Sequence, residues 1–101
     1  MNSPASSLSR LDRVIHEPGR LMIVALLSGV EQADFLYLQH ETKINKGTLS
    51  NHLARLEEAG YVEITKTFRG KFPRTLLQLT PAGRKAFNHY RKALQGLLKD
   101  S

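Results

Sequence analysis

Between Leu49 and Leu79 the chain reads as one unit, a helix that runs without a linker into a β-hairpin. Leucines at 49, 53 and 56 mark a single helical stripe, and Ala59-Gly60 ends the helix. The β-branched run Tyr61-Val62-Glu63-Ile64-Thr65 reads as a strand, and Thr75-Leu76-Leu77-Gln78-Leu79 as its return. The segment between them, residues 66–74, reads as a turn carrying four cations and no acid. A helix able to enter a groove beside a cationic loop able to grip phosphates is the layout of a DNA-reading module.

The rest of the chain supplies a frame for that unit. Residues 1–7 are expected to form a polar, frayed N-terminus, and 8–101 a single domain. Leu8, Leu11, Val14 and Ile15 recur at helical spacing and predict a helix over about 8–15. Pro18, with Glu17 or His16 as cap, starts a nearly all-apolar helix over 18–28, which must be covered on more than one side. Ala33-Asp34-Phe35 predicts a short extended piece, followed by a helix over about 36–42. Asn45 or Lys46 caps the helix that bears the leucine stripe. Thr80-Pro81 then opens a last helix running to about Leu98.

Charge singles out the second half. Residues 1–50 hold five Lys/Arg against five Asp/Glu, and residues 51–101 hold ten against four, which supplies the whole net charge of +6. From Ile64 to Lys99 there are nine cations and no acid. Such a bias suits a polyanionic partner.

Helix, short turn and helix, with Gly47 near the start of the second, is a helix-turn-helix, and the hairpin after it is a wing. The segment from Gly47 to Val62 resembles the recognition helix and first wing strand of winged-helix transcriptional regulators. Phe72-Pro73-Arg74-Thr75 and Leu79-Thr80-Pro81-Ala82-Gly83-Arg84 resemble their second wing strand and final-helix start. The likeness is greatest to the small, single-domain branch related to the MarR regulators and covers residues 10–98. It implies an α+β, mainly helical fold, a winged helix-turn-helix with extra N- and C-terminal helices for dimerisation. It also implies a homodimer on double-stranded DNA with matching two-fold symmetry, acting in transcription.

At 100° per residue, Thr48 and Asn51 lie opposite the leucine stripe and near the helix start, where they would reach base edges. Lys46 and Ser50 suit phosphates, Arg55 either task, and Gly47 allows close backbone approach. The bland alternative is a solvated helix face. In the wing, Lys66, Arg69, Lys71 and Arg74 are assigned to phosphates, with Arg69 or Lys71 tracking the backbone or entering the minor groove. Edge lysines that prevent aggregation would explain one or two of these cations but not four. Phe68 and Phe72 are expected to pack against the sheet or the last helix.

Phe87, Tyr90, Leu94 and Leu97 are spaced 3, 4, 3 along the final helix. With Leu8, Leu11 and Ile15 they predict a dimer seam. Docking of the two terminal helices within one chain is the competing use.

The chain has no cysteine and four scattered histidines, so no metal site or thiol chemistry is expected. No nucleophile elbow or P-loop appears, so neither an enzyme nor a cofactor is expected. With no signal peptide and no apolar run long enough to span a bilayer, a soluble, cytoplasmic protein without membrane contact is expected. A small-molecule effector of unidentified kind would sit near Tyr37, Tyr90 and Met22. The contrasting reading is a winged-helix protein-interaction module or adaptor; the acid-free start of the recognition face argues against it.

Overall fold

The computed structural model describes residues 10–99. Helix α1 spans Pro18–Ser28, strand β1 Ala33–Asp34, α2 Phe35–Thr42 and α3 Lys46–Glu58. Strands β2 (Val62–Arg69) and β3 (Phe72–Leu79) form the hairpin, and α4 (Pro81–Lys99) closes the chain. The three strands form one antiparallel sheet in the order β1-β3-β2. This is the winged helix-turn-helix architecture.

Each helix starts where a side chain can take up otherwise unpaired backbone N–H groups. The Glu17 carboxylate accepts from the N–H of Gly19 at 2.6 Å and of Arg20 at 3.3 Å, with Pro18 at the first helical position. Asp34 Oδ1 accepts from Leu36 N at 2.8 Å and Asn45 Oδ1 from Thr48 N at 2.9 Å. Thr80 Oγ1 accepts from Gly83 N at 3.0 Å. Between α2 and α3 the chain reverses through Lys43 in the left-handed region, φ 59°. Thr42, buried, supports the reversal by accepting from Ile44 N at 3.2 Å.

The core draws on every element. Ile23, Val24 and Leu27 of α1 meet Leu38 of α2, Leu49, Leu53 and Leu56 of α3, Val62, Leu77 and Leu79 of the sheet, and Phe87 and Tyr90 of α4. The apolar helix α1 lies in contact with α2, α3, β3 and α4, so one chain covers it on several sides. At Gly83 the fold leaves no room for a side chain, since a Cβ there would collide with the Tyr61 carbonyl oxygen.

Three expectations are corrected. First, Leu8 lies outside the described residues, and residues 10–17 are turns and bends instead of a helix. Asp12 Oδ1 accepts from Val14 N at 2.8 Å and Ile15 N at 3.2 Å, which closes a local turn that competes with helix. Asp12 also accepts a short hydrogen bond from the Tyr61 hydroxyl. Second, Leu11, Ile15, Phe87 and Tyr90, read as a dimer seam, are buried inside the protomer at 3%, 0%, 8% and 2% exposure. The stripe of α4 and the N-terminal segment meet the chain's own core, and the Tyr90 hydroxyl lies 2.7 Å from His16 Nδ1. Leu94 and Leu97 are half-buried against the same core. Third, the wing strands run four residues further on one side and three on the other than the expected ends at Thr65 and Thr75. What read as a nine-residue turn is a two-residue one.

Candidate nucleic-acid interface

Helix α3 presents a buried side and an open side. Leu49, Leu53 and Leu56 are sealed in the core, while Lys46, Gly47, Thr48, Ser50, Asn51 and Arg55 are all exposed. The open face begins at the helix N-terminus, where the backbone N–H groups favour an anion. Its first two turns carry Lys46 and no acid.

The seat of this helix includes a contact that sequence reasoning did not find. His52, on the flank of the leucine stripe, places Nδ1 3.2 Å from the Glu17 carboxylate. Arg20 joins them, with one guanidinium nitrogen 3.4 Å from His52 Nδ1 and 3.4 Å from Glu17 Oε2, and its Nε donating to Val14 O at 2.5 Å. Close approach depends on Gly19, where a Cβ would lie 2.6 Å from His52 Nε2. Burial pushes the Glu17 carboxyl up, but the N–H bonds from Gly19 and Arg20, with the charges of His52 and Arg20, outweigh it and leave it below the usual carboxylate range. The cap of α1 thus also braces the recognition helix.

The wing turns at Gly70-Lys71, with Arg69 and Phe72 as its last paired residues. Gly70 has φ 62° at the first loop position, the place where a tight hairpin turn of type II′ requires glycine. Cross-strand partners share a face and successive residues alternate. Lys66 therefore shares a face with Ile64, Thr75 and Leu77, and Arg69 shares the other with Phe72, Thr67 and Arg74. Lys66 lines an open hollow of about 310 Å³ whose opposite wall is Lys46, Ser50 and Leu53 of α3. One cation of the helix, Lys46, and one of the wing, Lys66, thus line one concave surface.

The four wing cations do not act as one cluster. Lys66, Arg69 and Lys71 are exposed. Arg74, expected to grip phosphate, instead donates from Nε to Asp34 Oδ2 at 2.8 Å. That bond, the Leu36 N–H and the nearby charge of Arg69 hold the Asp34 carboxyl below the ordinary range. Arg74 ties the base of the wing to the start of α2. Asp34 before an apolar helix is a legible cap, but its pairing with a residue forty positions later leaves no local trace. Phe68 and Phe72 are corrected too, being 70% and 76% exposed, because the longer strands lift them clear of the sheet's core and the last helix.

Tyr90 is spent on the core and His16, while Tyr37 and Met22 are exposed, so the expected effector pocket loses one of its three walls. Among the described residues no three His, Asp or Glu side chains converge to hold a metal ion, and no helix is long and apolar enough to cross a membrane.

Comparison with known proteins agrees with this geometry. A family model described as a winged helix DNA-binding domain matches residues 20–98. An uncharacterized protein of Methanocaldococcus jannaschii is 36% identical over 78 residues, or 77% of this chain and 85% of the relative. The structure of a transcriptional regulator homologue from Pyrococcus horikoshii superposes with a TM-score of 0.87 at 24% identity, covering 93% of this chain and 95% of that one. A MarR-family transcriptional regulator from Silicibacter pomeroyi superposes with a TM-score of 0.68 at 20% identity, covering 96% of this chain and 64% of that one.

Proposed function

The chain belongs to the winged helix DNA-binding domain family, with the fold of the MarR-like regulators, and from that premise we propose that it is a transcriptional regulator that binds double-stranded DNA sequence-specifically as a homodimer. The observation that carries the reading is the shared concave surface on which Lys46 and Ser50 of the recognition helix face Lys66 of the wing. Such a surface suits a duplex held by its phosphates while a helix enters the groove between them. Thr48 and Asn51 read base edges, Asn51 by a two-bond contact to adenine and Thr48 by its hydroxyl or methyl. Gly47 lets the helix start come close. Lys46, Ser50, Lys66, Arg69 and Lys71 bind phosphates, and Arg55 takes either role. Arg74 contributes by fixing the wing base through Asp34.

Two protomers would meet through the last turns of α4, where Leu94 and Leu97 are half-buried in the single chain. Pairing would also double the phosphate contacts, so each protomer needs only modest affinity.

The test is selection of bound duplexes from a random pool at moderate salt. A two-fold symmetric consensus is the expected result. Binding that is salt-sensitive but indifferent to sequence would overturn the specific regulator and favour an architectural role; no enrichment at all would favour a protein-binding module.

A further inference from the structure

The wing tip carries two aromatic rings that the fold does not use. Phe72 follows the Gly70-Lys71 loop and pairs with Arg69; Phe68 lies one rung back, opposite Pro73. By strand alternation the two rings project from opposite faces of the ribbon. Both are more than two-thirds exposed. Hairpin tips and strand edges ordinarily carry charge to stay soluble, so a pair of phenylalanines there points to an occupant. Arg69 and Lys71 flank them, and Asp34, which lines the same hollow as Arg69 and Phe72, is already paired with Arg74, so the tip stays positive and suits an anion with apolar surface inside it. Phe68 shares the ribbon face of Lys66, which faces Lys46 and Ser50, whereas Phe72 and Arg69 share the opposite face; the tip caps the hairpin that forms one wall of the proposed DNA surface.

We infer that the wing tip is an apolar wedge, with Phe72 beside Arg69 entering the minor groove, partly unstacking one base step and bending the bound duplex. The inference rests on the DNA-binding reading above and adds how the site is deformed. A two-stranded ribbon is about 4.8 Å from strand to strand, and the minor groove of B-DNA about 6 Å wide. Two strand axes that far apart, with backbone atoms outside them, already fill such a groove, and a phenyl ring on each face overfills it, so the groove must open. Apolar wedges between base steps do this and kink the duplex toward the major groove. Pyrimidine–purine steps yield most easily, so the wing selects sequence through stiffness and needs no hydrogen bonds to bases there.

The experiment uses the full chain and the duplex enriched from the random pool. End-to-end energy transfer reports the bend, and 2-aminopurine placed at each step under the wing reports unstacking. The wild type bends its site by roughly 20–90° and brightens 2-aminopurine at one step. Phe72→Ala abolishes both signals and weakens binding roughly five- to a hundredfold, with the thermal midpoint of the free protein unchanged. Phe72→Leu keeps the bend, and Phe72→Lys keeps salt-dependent binding without it. A straight duplex with dark 2-aminopurine in the wild-type complex overturns the wedge and leaves the DNA reading intact. So does a bend that survives Phe72→Ala, or a Phe72→Ala defect seen only in binding to phosphatidylserine vesicles. Failure of the wild type to enrich any duplex overturns the DNA reading itself, and the wedge with it.

Discussion

The recognition helix and the wing offer solvent similar chemistry but are held in opposite ways. Helix α3 is seated by three leucines at 0–2% exposure, capped by Asn45 and braced through His52 to Glu17. The outer wing has no such seat. Residues 65–73 are all exposed, and strand pairing alone joins the two arms up to the turn. Among the described residues its side-chain tether is at the base, where Arg74 meets Asp34 with the charge of Arg69 nearby. A base-reading side chain must be held to a fraction of an ångström, because its hydrogen bonds are directional. A phosphate grip works through longer-range charge and tolerates movement. The fold thus gives rigidity to the element that reads and compliance to the element that grips.

The largest effect that can break this contrast is on stability. Leu56→Ala empties a sealed position under α3 and is expected to cost about 2–5 kcal/mol in denaturant unfolding. Phe72→Ala removes a ring of similar bulk from the wing tip and is expected to stay within about 0.5 kcal/mol of wild type. Comparable losses at both positions would mean that the wing is part of the cooperative core.

A smaller effect separates reading from gripping. Asn51→Ala should remove about 1–3 kcal/mol of discrimination at one base pair in each half-site while leaving the salt dependence alone. If about eight phosphates are neutralised over two protomers, log K falls against log salt with a slope near −7. Arg69→Ala/Lys71→Ala removes four cations from the dimer and should flatten that slope by roughly 3 to 4, with the selected consensus unchanged. Titrations across salt on matched and mismatched duplexes check both. An Arg69→Ala/Lys71→Ala variant that rewrites the base pairs facing α3 would show that the gripping cations also read by direct contact.

The same division explains what could be read from the chain and what could not. Pro18, Asn45, Gly60 and Pro81 punctuate the helices through local rules, so those boundaries were legible within a few residues. The leucine stripe of α3 was legible because one face meets the core. Wing length was not, since Lys66, Thr67, Phe68 and Arg69 form strand by pairing across a hairpin and show no alternation of apolar and polar residues. The stripe through Phe87 and Tyr90 was seen, but spacing does not say whose core it enters. Asp12 defeated the N-terminal helix by bonding its own neighbours. Of the candidate site, the helix face was legible from periodicity. The contacts that seat it, Glu17–His52 and Asp34–Arg74, join residues far apart in sequence and became visible only in the fold.

The smallest effect lies in the acid range and assigns each brace to its element. In the folded chain Asp34 is held low first by the Arg74 hydrogen bond. For Glu17, burial works upward, and the N–H bonds at the start of α1 outweigh it. A carboxyl whose folded pKa is depressed contributes stability that is fully present above its unfolded pKa and is lost as pH falls through the folded value. Both contributions are therefore complete at neutral pH, unchanged down to about pH 5, and fade below about pH 4. Asp34→Asn keeps a side-chain oxygen to cap α2 but gives up the charge facing Arg74, so its melting temperature should fall less between pH 5 and pH 3 than that of the wild type. Glu17→Gln should shallow the same acid limb. Amide exchange at neutral pH then separates the two. Asp34→Asn should speed exchange in β3 near Arg74 and leave α3 protected, whereas Glu17→Gln should loosen α3 around His52 and leave the wing as it was. If Asp34→Asn shallows the acid limb without changing exchange in the wing, the tether is a charge contact only. The stiffness at the wing base then comes from strand pairing, and the compliance assigned to the outer wing would extend to its root.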